Sequence, residues 1–249
     1  STLQNAGIYC FQKNIFLKYT PEGKSALESE VFENLIREKQ LGGQQYEGFF
    51  IDIGVPEDYH RAQKQFGAYF IDKSWTLFLD RDGVINERLL GNYVKSVEEF
   101  RFIPGVLEAI AQFSQLFGRI VVVTNQQGIS KGLMSERNLN DIHRYMLLEI
   151  ERHGGHIDAV YFAPQLAQEN SEMRKPRPGM GLQAKADYPD IDFGKSVLIG
   201  DSDSDIVFGQ TLGMITVKLD NPDASTARPD QHRRDLASCV NLFENLKKR

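Results

Sequence analysis

The chain has 249 residues, 41% of them hydrophobic and 25% charged, and 29 basic against 34 acidic side chains give a net charge of −5. This is ordinary for a soluble globular protein and leaves no basic footprint for nucleic acid beyond the short terminal Lys247-Lys248-Arg249. No apolar run approaches the roughly 18 residues of a membrane-spanning helix, no basic-then-apolar leader opens the chain, and Cys10 and Cys239 stand outside any metal-binding spacing, so a cytoplasmic protein without membrane or nucleic-acid partners is expected.

The first 67 residues carry their own signals. Ala6–Phe11 reads as a strand, Ser29–Lys39 as a helix with Val31, Phe32, Leu35 and Ile36 on one face, and Tyr46–Ile53 as an aromatic-rich strand ended by Gly54 and Pro56. From about Tyr69 to Val240, strand and helix patterns alternate, the signature of parallel βαβ units. The predicted strands are Thr76–Asp80, Arg119–Thr124, Ile157–Phe162, Ser196–Gly200 and Met214–Lys218. Between them, Pro104 opens a helix carrying Val106, Leu107, Ile110, Phe113 and Leu116, and Ser135 caps one carrying Leu139, Ile142, Met146, Leu147 and Ile150. Asp205–Leu212 supplies a short third helix. The expected architecture is α/β, a Rossmann-like parallel sheet with helices on both faces (residues 68–249), preceded by a small α+β segment (residues 1–67). His143, His153 and His156 read as helix-surface or turn residues without chemistry.

The polar residues cluster where the predicted strands end. In FLDRDGVIN an apolar strand stops at Asp80 and Asp82, one residue apart, with Gly83 in the turn. Desolvating two unpaired carboxylates is costly, so the pair points to a cation, to phosphate chemistry, or to both. The strand RIVVVT ends at Thr124 and Asn125, donors suited to phosphate oxygens, and Gln126, Gln127 and Gly128 continue the loop. RKPRPGM presents Arg174, Lys175 and Arg177 as cations for phosphate charge. SVLIGDSDSD places Asp201, Asp203 and Asp205 after a fourth strand. A calcium loop is excluded because Ile206 and Leu212 stand where that loop needs Gly and Glu. Asp201 reads instead as a Mg²⁺ ligand facing Asp80, supported by Asp205 from the following helical turn.

This order of motifs, from about Thr76 to Leu219, resembles the haloacid dehalogenase superfamily of phosphohydrolases. The resemblance implies that Asp80 is the nucleophile and Asp82 the general acid/base. It makes Thr124 and Lys175 the phosphate clamps, and Asp80, Asp82 (through its backbone carbonyl) and Asp201 the Mg²⁺ ligands. The segments between motifs leave no room for a large cap domain, so the site is expected to be open and selective through its loops.

FLDRDGVIN, Tyr93-Val94, TNQQGISKG and RKPRPGM more narrowly resemble the branch that contains heptose 1,7-bisphosphate 7-phosphatases and histidinol-phosphate phosphatases. That resemblance implies a sugar-phosphate substrate contacted by Asn86, Tyr93, Thr124, Asn125, Gln126, Gln127 and Arg174 with Lys175. Many members of the branch bind zinc through Cys and His residues before the RKP motif; Ala163–Met173 contains neither, and no zinc is expected. The N-terminal stretches NAGIYCF and GFFIDIGVPEDYHRA resemble the tail of a sugar-phosphate nucleotidyltransferase, with Asp52 at a metal-assisting position. Because that family's Gly-rich nucleotide loop is absent, nucleotide transfer is not expected; the chain would be part of a fused or associated nucleotidyltransferase. The fusion favours a heptose bisphosphate in nucleotide-heptose biosynthesis. Histidinol phosphate, a non-enzymatic sugar-phosphate-binding remnant and a glycosyltransferase metal pair at Asp80 and Asp82 remain the alternatives.

Overall fold

The computed structural model describes residues 9–20, 23, 26–43, 71–89, 91–223 and 225–244. The chain divides into two compact units, Ser1–Tyr59 and His60–Arg249.

In the first unit, α1 (Lys13–Tyr19) precedes a π-helical turn, Leu27–Phe32, that runs directly into α2 (Glu33–Arg37). The predicted helix therefore forms, beginning two residues early and stopping where Lys39 turns to a φ of 54°. Val31, Phe32 and Leu35 are buried, whereas Ile36 faces solvent. Tyr9 to Phe11 are not in the expected strand. The rings of Tyr9 and Phe11 pack on Phe32 at 4.9 and 6.2 Å. Ala6–Ile8, the expected strand Tyr46–Ile53 and Asp52 lie outside the described residues.

The second unit runs β1 (Thr76–Leu79), α3 (Val106–Leu116), β2 (Arg119–Asn125), α4 (Glu136–Arg152), β3 (Ala159–Ala163), α5 (Gly179–Asp187), β4 (Ser196–Gly200), α6 (Asp203–Leu212), β5 (Ile215–Leu219), β6 (Gln231–Arg233) and α7 (Leu236–Glu244). Its six strands form one sheet in the order β3-β2-β1-β4-β5-β6, and every pairing is parallel. All five predicted strands form, within two residues of their expected ends. β6, α5 and α7 were not expected: β6 has three residues, and α5 and α7 follow a proline-rich loop and a polar loop that masked them.

Alternation along the strands sends side chains to two cores. Leu77, Leu79, Ile120, Val122, Val197 and Ile199 pack with α3, α4 and α7, while Phe78, Val121, Val123 and Leu198 pack with Met180 and Ala184 of α5 and Phe208 of α6. Covering both faces is what a parallel sheet requires. The connection from β1 to β2 holds one short 3-10 turn and α3, and that from β2 to β3 holds α4 alone, so these crossovers build the core. Because the chain moves outward from β1 through β2 and β3, then returns to β1's other side at β4, the switch point lies at the carboxyl ends of β1 and β4.

Phe113, on α3, is fully buried and meets Phe117 and Phe243 edge-on. Phe113→Ala should cost about 3–5 kcal/mol by opening a cavity where α3 meets α7. A urea unfolding midpoint unchanged by the substitution would contradict this packing.

Candidate active site

The apolar strand β1 ends at Asp80, whose amide donates to the Ile199 carbonyl of β4 at 3.0 Å, so the carboxylate is carried on rigid backbone at the switch point. Gly83 follows with a φ of 88°; a Cβ there would collide with the Asp201 carboxylate, so glycine permits both the turn and the close approach of the two strand ends. Lys175 reaches in from the loop before α5. Its Nζ lies 2.7 Å from Asp80 Oδ1 and 2.6 Å from Asp205 Oδ1, and it donates to the Val123 carbonyl at 2.6 Å. Its backbone is fixed by a reciprocal pair: Asn125 Nδ2 donates to the Lys175 carbonyl, and Lys175 N to Asn125 Oδ1, both at 3.0 Å.

Asp80, Asp201 and Asp205 are all buried, and their carboxylate oxygens gather within 4.8 Å of one another. Burial, reinforced by Asp205, Asp201 and Asp82, pushes Asp80 up to about 8 against the pull of Lys175. Burial and Asp205 push Asp201 up to about 6, with Arg88 and Lys175 opposing. Burial disfavours the charge on Lys175, yet Asp205 and Asp80 outweigh it and raise its pKa.

One lysine does not balance three carboxylates. Arg88 approaches Asp201 Oδ2 at 3.3 Å, but it is shared with Asp223 at 2.7 Å. An oxygen-only donor set with excess negative charge fits a hard divalent cation such as Mg²⁺. Asp80 and Asp201 suit it best, because Asp205 is already engaged by Lys175 and by Ser202, whose amide and hydroxyl donate to Oδ2 at 3.0 and 2.6 Å. Asn221, with Nδ2 2.7 Å from Asp201 Oδ2, orients that carboxylate; it follows β5, and no sequence spacing pointed to it.

Asp82 is held differently. Nη2 of Arg81 donates to both its oxygens at 2.8 Å, Asn86 Nδ2 to Oδ1 at 2.9 Å and Gln126 Nε2 to Oδ2 at 2.7 Å. Burial alone would raise its pKa, but these donors, Arg81 foremost, outweigh burial and lower it. Gln126 also donates to Thr124 Oγ1 at 2.9 Å, which leaves the threonine hydroxyl proton for a ligand.

Around these groups lies a cleft of about 400 Å³ whose wall includes Asp80, Asp82, Tyr93, Thr124, Asn125, Gln127, Arg174, Lys175, Asp201 and Asp205. Of the sequence-predicted contacts, Asn86 and Gln126 do not line it. Both are buried behind Asp82, because their amides are spent on its carboxylate. Lys131, Arg88 and Asn92 do line it, at positions where loop membership was their only signal. Lys131 Nζ donates to Tyr93 Oη at 2.9 Å, joining two rim loops. His143 is a correction: it is buried on the inner face of α4, because it shares that face with Leu139, Ile142 and Met146, and its Nε2 lies 3.2 Å from Arg81 Nη1. Burial and the adjacent guanidinium push it down to about 3, so it is neutral.

A HAD-hydrolase-like family model matches residues 172–236, which span Lys175, Asp201 and Asp205. The chain is 35% identical over 172 residues to the D-glycero-alpha-D-manno-heptose-1,7-bisphosphate 7-phosphatase of Campylobacter jejuni, covering 69% of this chain and 97% of that one. The chain belongs to the HAD-like phosphatases. Another member, the 7-phosphatase of Mycobacterium tuberculosis, is 40% identical over 132 residues, 53% of this chain and 70% of that relative. The solved structure of D,D-heptose 1,7-bisphosphate phosphatase from B. bronchiseptica, complexed with magnesium and phosphate, superposes on this phosphatase with a TM-score of 0.64 at 29% identity, covering 69% of this chain and 98% of that one. Among the described residues, no helix of this phosphatase is long and apolar enough to cross a membrane.

The raised carboxylates set the pH dependence of stability. Asp80 and Asp201 hold protons more tightly folded than at their ordinary 3.8. The native state thus binds more protons than the unfolded one, and stability is lost as pH rises from about 4 through about 6 and about 8. With metal chelated, calorimetry should give a lower melting temperature at about pH 8 than at about pH 5, and Mg²⁺ should raise it more at the higher pH. Equal melting at both pH values without metal would contradict the clustered carboxylates.

Proposed function

We propose that this phosphatase removes the C7 phosphate of D-glycero-D-manno-heptose 1,7-bisphosphate in nucleotide-heptose biosynthesis, with Mg²⁺ as cofactor and an aspartyl-phosphate on Asp80 as intermediate. The observation that carries the choice of substrate is the charge of the rim: Arg174 and Lys131 line the same cleft as Asp80. Two cations beyond the reacting site suit a second phosphate, whereas they would repel the cationic groups of histidinol phosphate. The names of the relatives support the same reading.

Asp80 attacks phosphorus in line, forming a bond from its free carboxylate oxygen as the bond between phosphorus and the C7 oxygen breaks. Asp82, ionised in the free site because its donors lower its pKa, takes up a proton as the anionic substrate binds beside it, gives it to the departing alkoxide, then takes one from the water that attacks the aspartyl-phosphate and releases inorganic phosphate. Thr124 and Lys175 hold the equatorial oxygens, and Asn125 keeps Lys175 in place through its backbone. Asp80, Asp201 and the Asp82 carbonyl would hold Mg²⁺, whose charge keeps Asp80 ionised and offsets its repulsion from the substrate. The resemblance of residues 1–67 to a nucleotidyltransferase tail supports a place next to nucleotide activation, where the remaining C1 phosphate is used. A binding-only remnant would have no use for both Asp80 and Asp82.

Two experiments test this reading. Asp80→Asn should keep its fold by circular dichroism and release no phosphate; substantial turnover would sink the assignment of the nucleophile. Measured on both anomers of the heptose bisphosphate and on histidinol phosphate, kcat/KM should favour the bisphosphate, and Lys131→Ala should narrow that preference by about ten-fold, the worth of one charge-assisted hydrogen bond. A preference for histidinol phosphate would overturn the choice of substrate.

A further inference from the structure

Arg81 has no exposed surface at all and is the largest fully buried side chain among the described residues. A buried guanidinium is costly unless it is paired, and here its Nε makes no hydrogen bond among the described residues. Its geometry therefore serves its ends: Nη2 bridges both oxygens of Asp82 at 2.8 Å, and Nη1 lies 3.2 Å from His143 Nε2. Arginine has only donors, so His143 Nε2 is the acceptor, which requires the neutral ring that burial enforces. The ring is carried on a 17-residue helix, α4, whose Leu139, Ile142 and Met146 are locked in the core, and it lies 6.1 Å from the Phe162 ring of β3. Asp82 thus hangs from a rigid helix through two buried side chains.

We propose that Arg81 and His143 are positioning residues for the acid/base step: His143 accepts from Arg81 and fixes its guanidinium, and the guanidinium aims the Asp82 carboxylate at the leaving oxygen. This rests on the reading of Asp82 as the general acid. Neither residue touches substrate, since neither lines the cleft. The role is specific to proton delivery. A leaving group that departs as a stable anion needs no aimed acid, whereas a sugar alkoxide does.

The test compares kcat/KM, which reports phosphoryl transfer to the enzyme, for heptose 1,7-bisphosphate and for p-nitrophenyl phosphate. His143→Leu removes the acceptor; it should lower kcat/KM for the sugar by about ten-fold or more while leaving the aryl ester within about two-fold, a selective loss within the range that general acids contribute. His143→Gln, which restores an acceptor, should recover most of the sugar activity. Equal losses on both substrates, no loss on either, or failure of His143→Gln to recover activity would overturn the proposal. If His143→Leu does not fold, Arg81→Lys is read by the same pair of substrates, since an ammonium keeps the charge but cannot span both Asp82 and His143. Asp82→Asn, run alongside, separates the two levels. If it too loses both substrates equally, Asp82 is not the acid and the mechanism falls with the proposal; if its loss is selective and that of His143→Leu is not, only the positioning role fails.

Discussion

A single buried ammonium, Lys175, holds three strand ends together. It contacts Asp80 after β1, Asp205 in the first turn of α6 after β4, and the Val123 carbonyl inside β2. A buried ion pair recovers its desolvation cost only with good geometry and further hydrogen bonds, and each partner here has them: Asp205 from Ser202, and Lys175 through Asn125 at its backbone. The remaining negative charge on Asp80 and Asp201 is unbalanced within the chain. The same imbalance that weakens the metal-free fold at higher pH is what creates an affinity for a hard cation.

The two carboxylates of the Asp-Arg-Asp sequence experience opposite fields although one residue separates them. Asp80 faces other carboxylates and holds its proton; Asp82 faces Arg81, Asn86 and Gln126 and gives its proton up. Strand alternation would point residues i and i+2 the same way, but β1 ends at Leu79 and the chain bends at Arg81 and turns at Gly83, so the two carboxylates part to different sides. One side is the switch-point crevice between β1 and β4, and the other leads toward α4 and His143.

Much of this was legible in the residues. In the second unit the five predicted strands and three predicted helices form, because period-two and helical apolar patterns bounded by Gly, Pro and Ser caps report local structure directly; Ser135 caps α4 as its spacing implied. Asp80, Thr124, Lys175 and Asp201 each follow a recognisable strand or motif, and the structure brings all four to one cleft. β6 was too short to carry a period, and α5 opens with glycines and a proline that read as loop. Tyr9 to Phe11 looked like a strand because aromatic residues favour extended chain, but the rings of Tyr9 and Phe11 pack on Phe32, a contact that no local pattern shows.

Asn86 and Gln126 show where one-dimensional reading stops. Their positions beside the Asp-Arg-Asp and Thr-Asn motifs suggested substrate contacts, yet the direction of each side chain depends on what lies behind the strand end, and there Asp82 takes both amides. His143 looked like one polar residue on a helix and became a buried acceptor because α4 packs across the same side of the sheet as Arg81. The sequence by itself determined the sheet, its strand ends and the chemical types gathered there, because periodicity and parallel topology follow from local spacing. Only the tertiary structure decided which carboxylates share a field, which donors face the cleft and which support it from behind, because desolvation and hydrogen-bond partnership depend on neighbours far apart in sequence, 113 residues in the case of Arg88 and Asp201.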